Sequence, residues 1–335
     1  MSKNSQNTSQ SLGEFDLIER FFKRSSFSQN QSVILGIGDD CALLEVNPGE
    51  VVAASIDTLV SGVHFFADEK PFNIGYKAVM VNVSDLAAMG AQPRWLTLAL
   101  TLPEVNENWL ELFSQGLFQA LDETGMSLVG GDTTRGPLSM SLQVQGTVEK
   151  DKALKRSGMQ VGDALYVSGP LGGAALGLAY RLGKIAFNDE NDGKAALLVD
   201  QALCLPKARW QFGLILKEYA NSCIDISDGL VSDLNHLLKQ SNCGAKVNLD
   251  DIPYHPAFNY LNFDLNKKWQ YALAGGEDYE LCFSVSQKNK EKLLNILRKE
   301  NVKIFQVGEA VSGGMLSFYY KSKAESLKLS GYEHF

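Results

Sequence analysis

The sequence predicts two mixed α/β domains. Apolar runs of strand length alternate with amphipathic helical patterns along most of the chain. The 335 residues exceed one typical compact domain and suit two of ordinary size. A charged segment at 149–162 interrupts the alternation, which begins again at Ala164. We therefore expect a polar disordered tail at 1–12, an N-terminal α/β domain at 13–149 and a C-terminal α/β domain at 150–335.

Helices and strands of the first half follow from the spacing of their apolar residues. Helical spacing predicts helices at 14–23, 73–89 and 107–124. Strand-like runs lie at 33–37, 51–56, 95–102, 127–129 and 138–148. An acidic residue follows each of the runs that end at 37, 56 and 129. It follows directly after residue 56, after one glycine at 38 and after two glycines at 130–131.

The second half repeats this organisation. Strands are expected at 164–168, 222–226, 279–285, 303–307 and 315–320, and helices at 174–182, 207–219, 230–239 and 288–299. A glycine-rich turn at 169–173 and a polar loop at 188–193 connect some of them. Either Ser227 or Asp228 is a natural N-cap for the helix at 230–239.

Composition excludes several classes of function. The 31 basic and 39 acidic residues give a net charge of −8, which disfavours nucleic acids and anionic membranes as partners. No run approaches eighteen apolar residues, and the N-terminus lacks an apolar signal core. The five scattered cysteines form no CxxC pair, so reduced thiols in the cytoplasm are expected. The sequence also lacks a P-loop, a protein-kinase signature and zinc-ligand spacing of histidines.

Aspartates recur at the ends of apolar runs, beside glycine or serine. The set is Asp40, preceded by Asp39, then Asp57, Asp85, Asp132, Asp225 and Asp228. Carboxylate oxygens are the ligands that Mg²⁺ prefers, whereas capping a turn is the favoured explanation for any single aspartate. The shared context of the whole set favours a metal site. The turn at 169–173 could cradle a phosphate, but close packing of the following small-residue helix is the favoured explanation.

Seven segments taken together resemble thiamine-monophosphate kinases. They are 36–42 (GIGDDCA), 57–60 (DTLV), 82–90 (NVSDLAAMG), 130–135 (GGDTTR), 225–230 (DISDGL), 275–281 (GGEDYEL) and 331–335 (GYEHF). They occur in the family's order from about Gly13 to the end of the chain. The resemblance implies the two-domain fold of the aminoimidazole-ribonucleotide-synthetase superfamily, with an N-terminal domain that contributes strands to a homodimer interface.

The resemblance also implies a reaction and a set of site residues. ATP would phosphorylate thiamine monophosphate to thiamine diphosphate, with several Mg²⁺ ions held by the protein. The implied metal positions are Asp40, Ser55, Ile56, Asp57, Asp85, Asp132, Asp225 and Asp228. The implied nucleotide contacts are Gly131, Asp132, Arg156 and Ser227, and the implied substrate contacts are His64, Glu277 and Tyr332.

Two positions depart from the family pattern. Ile56 stands where the family commonly has threonine, so only its backbone carbonyl could bind a metal. The turn at 169–173 lacks an acidic or hydroxyl residue often seen there, and we leave it outside the predicted site.

The implied chemistry requires no general base. The second pKa of a phosphate monoester is about 6, so the acceptor oxygen is largely ionised at neutral pH. Catalysis would rest on positioning and on cations around both phosphates. Glu277 could bind the cationic thiamine moiety, and Tyr332 could stack on its ring.

Other functions remain open at this point. A selenophosphate synthetase would need a reactive cysteine near the N-terminus, whereas Cys41 lies inside the aspartate motif. A hydrogenase-maturation protein would need a C-terminal cysteine, whereas the chain ends at Phe335. A purine-pathway synthetase of the same superfamily and a phosphohydrolase are further alternatives. A non-catalytic nucleotide-binding protein would be expected to have lost some of the aspartates.

Overall fold

The computed structural model describes residues 13–24, 32–187, 192–327 and 329. The predicted polar tail at 1–12 and Tyr332 lie outside these residues. The helices are α1 (Glu14–Leu17), continued by a π-helical turn at Ile18–Phe22, α2 (Pro71–Ala88), α3 (Glu107–Thr124), α4 (Gly173–Arg181), α5 (Asp192–Cys204), α6 (Trp210–Leu216), α7 (Leu230–Ser241), α8 (Leu265–Ala274) and α9 (Gln287–Lys299).

The strands are β1 (Val33–Leu35), β2 (Leu43–Leu44), β3 (Glu50–Val60), β4 (Gln92–Leu102), β5 (Ser127–Arg135), β6 (Ser139–Glu149), β7 (Ala164–Val167), β8 (Ser222–Asp225), β9 (Gly244–Asn248), β10 (Leu281–Val285), β11 (Phe305–Val311), β12 (Leu316–Tyr320) and β13 (Lys323–Glu325). Strands and helices alternate along most of the chain, which confirms the mixed α/β class.

The chain divides into two compact units with interleaved segments. The first unit takes the described residues of 1–45 together with 56–78 and 95–143, and the second takes 46–55, 79–94 and 144–335. The predicted domain division between residues 149 and 150 stays a prediction. No helix in the described part of the chain is long and apolar enough to cross a membrane.

In the first unit, glycines bring α2 and α3 close together. A Cβ at Gly116 would lie 1.9 Å from the carbonyl oxygen of Phe72, and a Cβ at Gly75 would lie 2.2 Å from that of Phe113. Residues of α3 spaced three and four apart, including Leu110, Phe113 and Leu117, are fully buried. Strands β3, β6, β4 and β5 form a four-stranded sheet in that order. Within it, β4 and β5 are parallel.

The second unit contains a seven-stranded sheet with the order β13-β12-β9-β11-β7-β10-β8. Strand β10 pairs antiparallel with β7 and with β8. Every residue of β10 is buried. Alternate side chains of this strand enter two different cores: Cys282 packs with Leu165 and Ile224, whereas Phe283 packs with Tyr166 and Phe212. A sheet covered on both faces explains the continuous apolar runs that predicted these strands.

Several predicted boundaries are wrong. Strand β3 continues to Val60 and β5 to Arg135, so Asp57 and Asp132 lie within strands rather than after them. The position of Gly131 in β5 requires glycine, because a Cβ there would lie 2.0 Å from the carbonyl oxygen of Leu98. The apolar patterns did not predict β2, α5, β9, α8 or β13. Helix α8 was missed because its polar sequence buries only Trp269, Ala272 and Leu273.

Candidate functional site

Asp225, the last residue of β8, is a buried carboxylate at the end of a strand. It is only 5% exposed, and the hydroxyl of Ser84 donates a hydrogen bond of 2.8 Å to its Oδ2. Burial and the neighbouring charge of Asp85 raise the pKa of Asp225 to about 7. The environment therefore disfavours a bare negative charge at this position.

Asp85 on α2 is the second carboxylate of this pair. The Ser55 hydroxyl donates a hydrogen bond of 2.5 Å to Asp85 Oδ2. Burial raises the pKa of Asp85, while the Ser55 hydrogen bond and the positive charge of Arg156 act in the opposite direction. The second unit thus brings together four of the predicted site residues: Ser55, Asp85, Arg156 and Asp225.

Ser227 and Asp228 follow β8 and precede α7. Neither is the N-cap of α7, which is Gly229, so the predicted capping role is wrong. Instead, Oδ2 of Asp233 accepts hydrogen bonds from the backbone N–H groups of Ser227 (3.1 Å) and Asp228 (3.0 Å). A side chain in the first turn of α7 therefore satisfies two backbone amides that precede the helix.

Asp233 is itself buried, and this burial raises its pKa to about 7. The charge of Arg156 opposes that shift, so Arg156 acts on both Asp85 and Asp233. Ser84 and Asp233 were not among the residues predicted for the site. Ser84 directly precedes Asp85 in the quoted motif, and Asp233 lies in the first turn of a predicted helix, so both positions carried a signal.

In the first unit, a cavity of about 530 Å³ is lined by both acidic and apolar residues. Asp39, Asp40 and Asp132 line it together with Gly131. Its apolar lining includes Ile18, Phe22, Leu98 and Leu128. The first unit therefore brings together Asp40, Gly131 and Asp132, which the sequence placed in the site.

Three further predicted residues of the first unit lie on or after β3. Ile56 is 60% exposed and Asp57 is exposed. His64 is half-buried, and its Nδ1 accepts a hydrogen bond of 3.0 Å from the backbone N–H of Val60. This bond places the proton of the neutral imidazole on Nε2.

The donor set of the second unit fits a hard cation. Across the described residues, no group of three or more His, Cys, Asp or Glu side chains is arranged to hold a metal ion. Mg²⁺, however, is usually bound by one or two carboxylates together with substrate phosphates and water. Asp85 and Asp225 provide such a pair, and their mutual repulsion is a second reason for a cation to bind there.

The segment 275–281 lies beside Ser227. The backbone N–H of Glu277 donates a hydrogen bond of 2.7 Å to the Ser227 carbonyl oxygen. A predicted substrate contact and a predicted nucleotide contact are therefore neighbours in the second unit. The next acidic residue, Asp278, was not assigned a role from the sequence.

The glycine-rich turn at 169–173 uses its backbone amides within the protein. Asp278 accepts hydrogen bonds from the backbone N–H of Gly172 at 2.8 and 3.0 Å, and the nearby N–H groups of Gly173 and Ala174 favour its ionised form. A Cβ at Gly169 would lie 2.3 Å from the carboxylate of Glu280. Close packing therefore explains these glycines, and the amides that could have cradled a phosphate are occupied by Asp278.

Two protein-family models together match most of the chain. The model of the AIR synthase related protein N-terminal domain matches residues 38–148, and that of the C-terminal domain matches residues 160–321. The thiamine-monophosphate kinase of Escherichia coli K12 is 46% identical over 96% of this chain and 98% of its own length.

Two solved structures are also similar over most of the chain. The crystal structure of thiamine-monophosphate kinase from Stenotrophomonas maltophilia K279a is 39% identical, covers 94% of this chain and 98% of its own, and has a TM-score of 0.82. A structure described as AaThiL complexed with AMPPCP and TMP is 29% identical, covers 97% of each chain and has a TM-score of 0.73. The fold is therefore shared along nearly the whole length.

Proposed function

The chain belongs to the thiamine-monophosphate kinase family, and on that premise we propose that it transfers the γ-phosphoryl group of ATP to thiamine monophosphate. The products are ADP and thiamine diphosphate, so the protein is a phosphotransferase of thiamine diphosphate biosynthesis. The observation in this chain that supports the proposal most strongly is the interacting pair of carboxylates formed by half-buried Asp85 and buried Asp225. Phosphoryl transfer between two anions needs cations at the reacting groups, and such a pair attracts them.

The acceptor is a phosphate oxygen of thiamine monophosphate. Its second pKa of about 6 leaves it largely ionised at neutral pH, so no side chain has to remove a proton. The protein's task is to hold two anionic phosphates in line. We assign phosphate and nucleotide contacts to Gly131, Asp132, Arg156 and Ser227. The guanidinium of Arg156 contributes a permanent positive charge.

Recognition of thiamine monophosphate falls to three residues in this proposal. Glu277 offers a carboxylate to the cationic thiamine moiety, and Tyr332 offers an aromatic face worth about 0.5–2 kcal/mol to a cation. His64 contributes Nε2–H as a donor, because its Nδ1 already accepts the Val60 N–H.

We further propose that several Mg²⁺ ions bind to the acidic residues of the site. The side chains of Asp40, Ser55, Asp57, Asp85, Asp132, Asp225 and Asp228 and the backbone carbonyl of Ile56 would hold them. When bound, Mg²⁺ neutralises charge on the phosphates of both substrates. Ser84 and Ser55 keep the carboxylates of Asp225 and Asp85 in place through their hydroxyl groups.

We also propose that the protein is a cytoplasmic homodimer. Strand β3 is at the edge of its four-stranded sheet and carries exposed Val52 and Ile56. An exposed apolar edge strand is a template for pairing with another chain. All five cysteines are free thiols, which suits a reducing compartment.

A direct assay tests the proposed reaction. The protein is incubated with ATP, Mg²⁺ and thiamine monophosphate, and thiamine diphosphate and ADP are separated and quantified. Equal amounts of both products are expected, with no product when unphosphorylated thiamine replaces the monophosphate. Release of inorganic phosphate without thiamine diphosphate would instead indicate a phosphohydrolase. ATP turnover that depends on another acceptor would indicate a different synthetase of the superfamily.

A further inference from the structure

Two residues of the segment 276–280 have a backbone conformation that residues with a side chain rarely adopt. Glu277 and Tyr279 both have positive φ, of +66° and +49°. This left-handed region is unfavourable for residues with a Cβ atom. Such conformations persist where the surrounding structure over-determines them, and they cluster at functional sites. The segment contains Glu277, the proposed substrate contact.

Backbone hydrogen bonds hold one side of this segment against the residues after β8. The N–H groups of Glu277 and Tyr279 donate to the carbonyl oxygens of Ser227 (2.7 Å) and Ile226 (2.8 Å). In return, the N–H of Ile226 donates to the carbonyl oxygen of Glu280 at 2.7 Å. These bonds fix the path of the chain but use no side chain.

The side chain of Asp278, between the two left-handed residues, fixes the other side. Its carboxylate accepts hydrogen bonds of 2.8 and 3.0 Å from the N–H of Gly172, the N-cap of α4, and the nearby N–H groups of Gly173 and Ala174 favour its ionised form. These amides have no partner within the helix, and a carboxylate is electrostatically favourable at this end. Asp278 therefore ties the segment to α4.

We propose that Asp278 is a positioning residue for Glu277. Its carboxylate, held by the first amides of α4, maintains the left-handed backbone in which Glu277 binds the cationic moiety of thiamine monophosphate. This inference rests on the proposed function. Glu280 is anchored separately, through Ser168 at 2.5 Å and through two hydrogen bonds from Arg209, so β10 keeps its own anchor when Asp278 is replaced.

Steady-state kinetics of Asp278→Ala and Asp278→Asn test the proposal. We expect the alanine variant to raise KM for thiamine monophosphate about tenfold, with KM for ATP and kcat changed by less than about threefold. The asparagine variant keeps one acceptor oxygen, so its rise should be smaller, about threefold. If the alanine variant fails to fold, the asparagine variant is judged by whether KM for thiamine monophosphate rises while KM for ATP and kcat stay unchanged.

A double-mutant cycle separates positioning from a general loss of structure. If Asp278 acts through Glu277, then Asp278→Ala adds little to KM in a Glu277→Ala background. Asp264→Ala is a matched control, because Asp264 caps α8 by accepting the Lys267 N–H at 2.8 Å and alanine removes that cap. This control should lower Tm without changing KM for thiamine monophosphate.

Three results would overturn the inference while the proposed function stands. They are an unchanged KM in a folded Asp278 variant, an equal rise in both KM values, and additive effects in the cycle. Wild-type protein that forms no thiamine diphosphate would overturn both the function and the inference.

Discussion

Asp225 shows how a single residue acquires chemistry from its surroundings. Its carboxylate is buried, accepts a hydrogen bond from Ser84 and has a pKa raised to about 7 by burial and by Asp85. An aspartate in water has a pKa of about 3.9, so folding makes the charge of this group costly until a cation compensates it. The same environment that penalises the free carboxylate therefore favours metal binding.

Asp225→Asn should nearly abolish turnover, because it removes one of two adjacent carboxylates from the proposed metal site. We expect kcat/KM to fall by about 100-fold or more, corresponding to roughly 3 kcal/mol of transition-state stabilisation. The variant should remain folded, because asparagine is similar in shape and the like-charge repulsion with Asp85 disappears.

A matched control for this variant is Asp163→Asn. Asp163 is also buried in the second unit, but its carboxylate accepts hydrogen bonds from Asn221 and Ser284 outside the proposed site. It should lower Tm and leave kcat/KM nearly unchanged. Near-normal activity of Asp225→Asn would exclude a catalytic metal at this carboxylate pair.

At the scale of elements, glycine determines which helices can approach each other. Gly116 of α3 lies against the backbone of Phe72, where a Cβ would be 1.9 Å from a carbonyl oxygen. Gly193 of α5 has nothing within 4 Å of the corresponding position. The same substitution therefore has opposite expected effects in two helices of this chain.

Gly116→Ala should destabilise the protein by at least about 1–3 kcal/mol, because α2 and α3 would have to move apart. Gly193→Ala should leave stability unchanged or raise it by up to about 1 kcal/mol, because alanine is the better helix former. Thermal unfolding followed by circular dichroism measures both. A Gly116→Ala variant as stable as wild type would contradict the close approach of α2 and α3.

Most elements were predictable from the local sequence pattern, and each failure has an identifiable physical cause. Helix α3 was predicted at its observed bounds because its buried residues recur at helical spacing. Strand β5 was predicted six residues too short because glycines ordinarily weaken strands, whereas here the neighbouring strand requires one at Gly131. The N-cap of α7 was misassigned because Asp233 reaches back to the amides of Ser227 and Asp228.

At the scale of the whole molecule, divalent cations should control activity without controlling the fold. No three acidic, histidine or cysteine side chains of the described residues are arranged to hold a metal ion, so we expect the proposed Mg²⁺ ions to need substrate phosphates as additional ligands. Chelation with EDTA should abolish thiamine diphosphate formation, and excess Mg²⁺ should restore it. Far-UV circular dichroism should stay the same throughout. Full activity in EDTA would contradict the proposed metal dependence.

Oligomeric state provides a second test at this scale. Val52 of β3 is 47% exposed at the edge of its sheet. In sedimentation experiments, Val52→Lys should reduce the mass of the protein from that of two chains to that of one. The reason is that a lysine charge buried between paired edge strands opposes their association. Val161→Lys is the control, since Val161 is 61% exposed but lies outside β3. A wild-type protein that sediments as a monomer would contradict the dimer.

The sequence by itself determined the fold class, the positions of most helices and strands, and the family, because these depend on local periodicity and on long ordered motifs. It also identified Asp85, Asp225, Ser227 and Glu277 as candidates. Only the tertiary structure decided how these side chains are held: Ser84 and Asp225 are 141 residues apart, and Asp278 is 106 residues from Gly172. Such partners depend on packing between distant parts of the chain. The same packing places carboxylates that contribute to the net charge of −8 close together, where they affect each other's pKa.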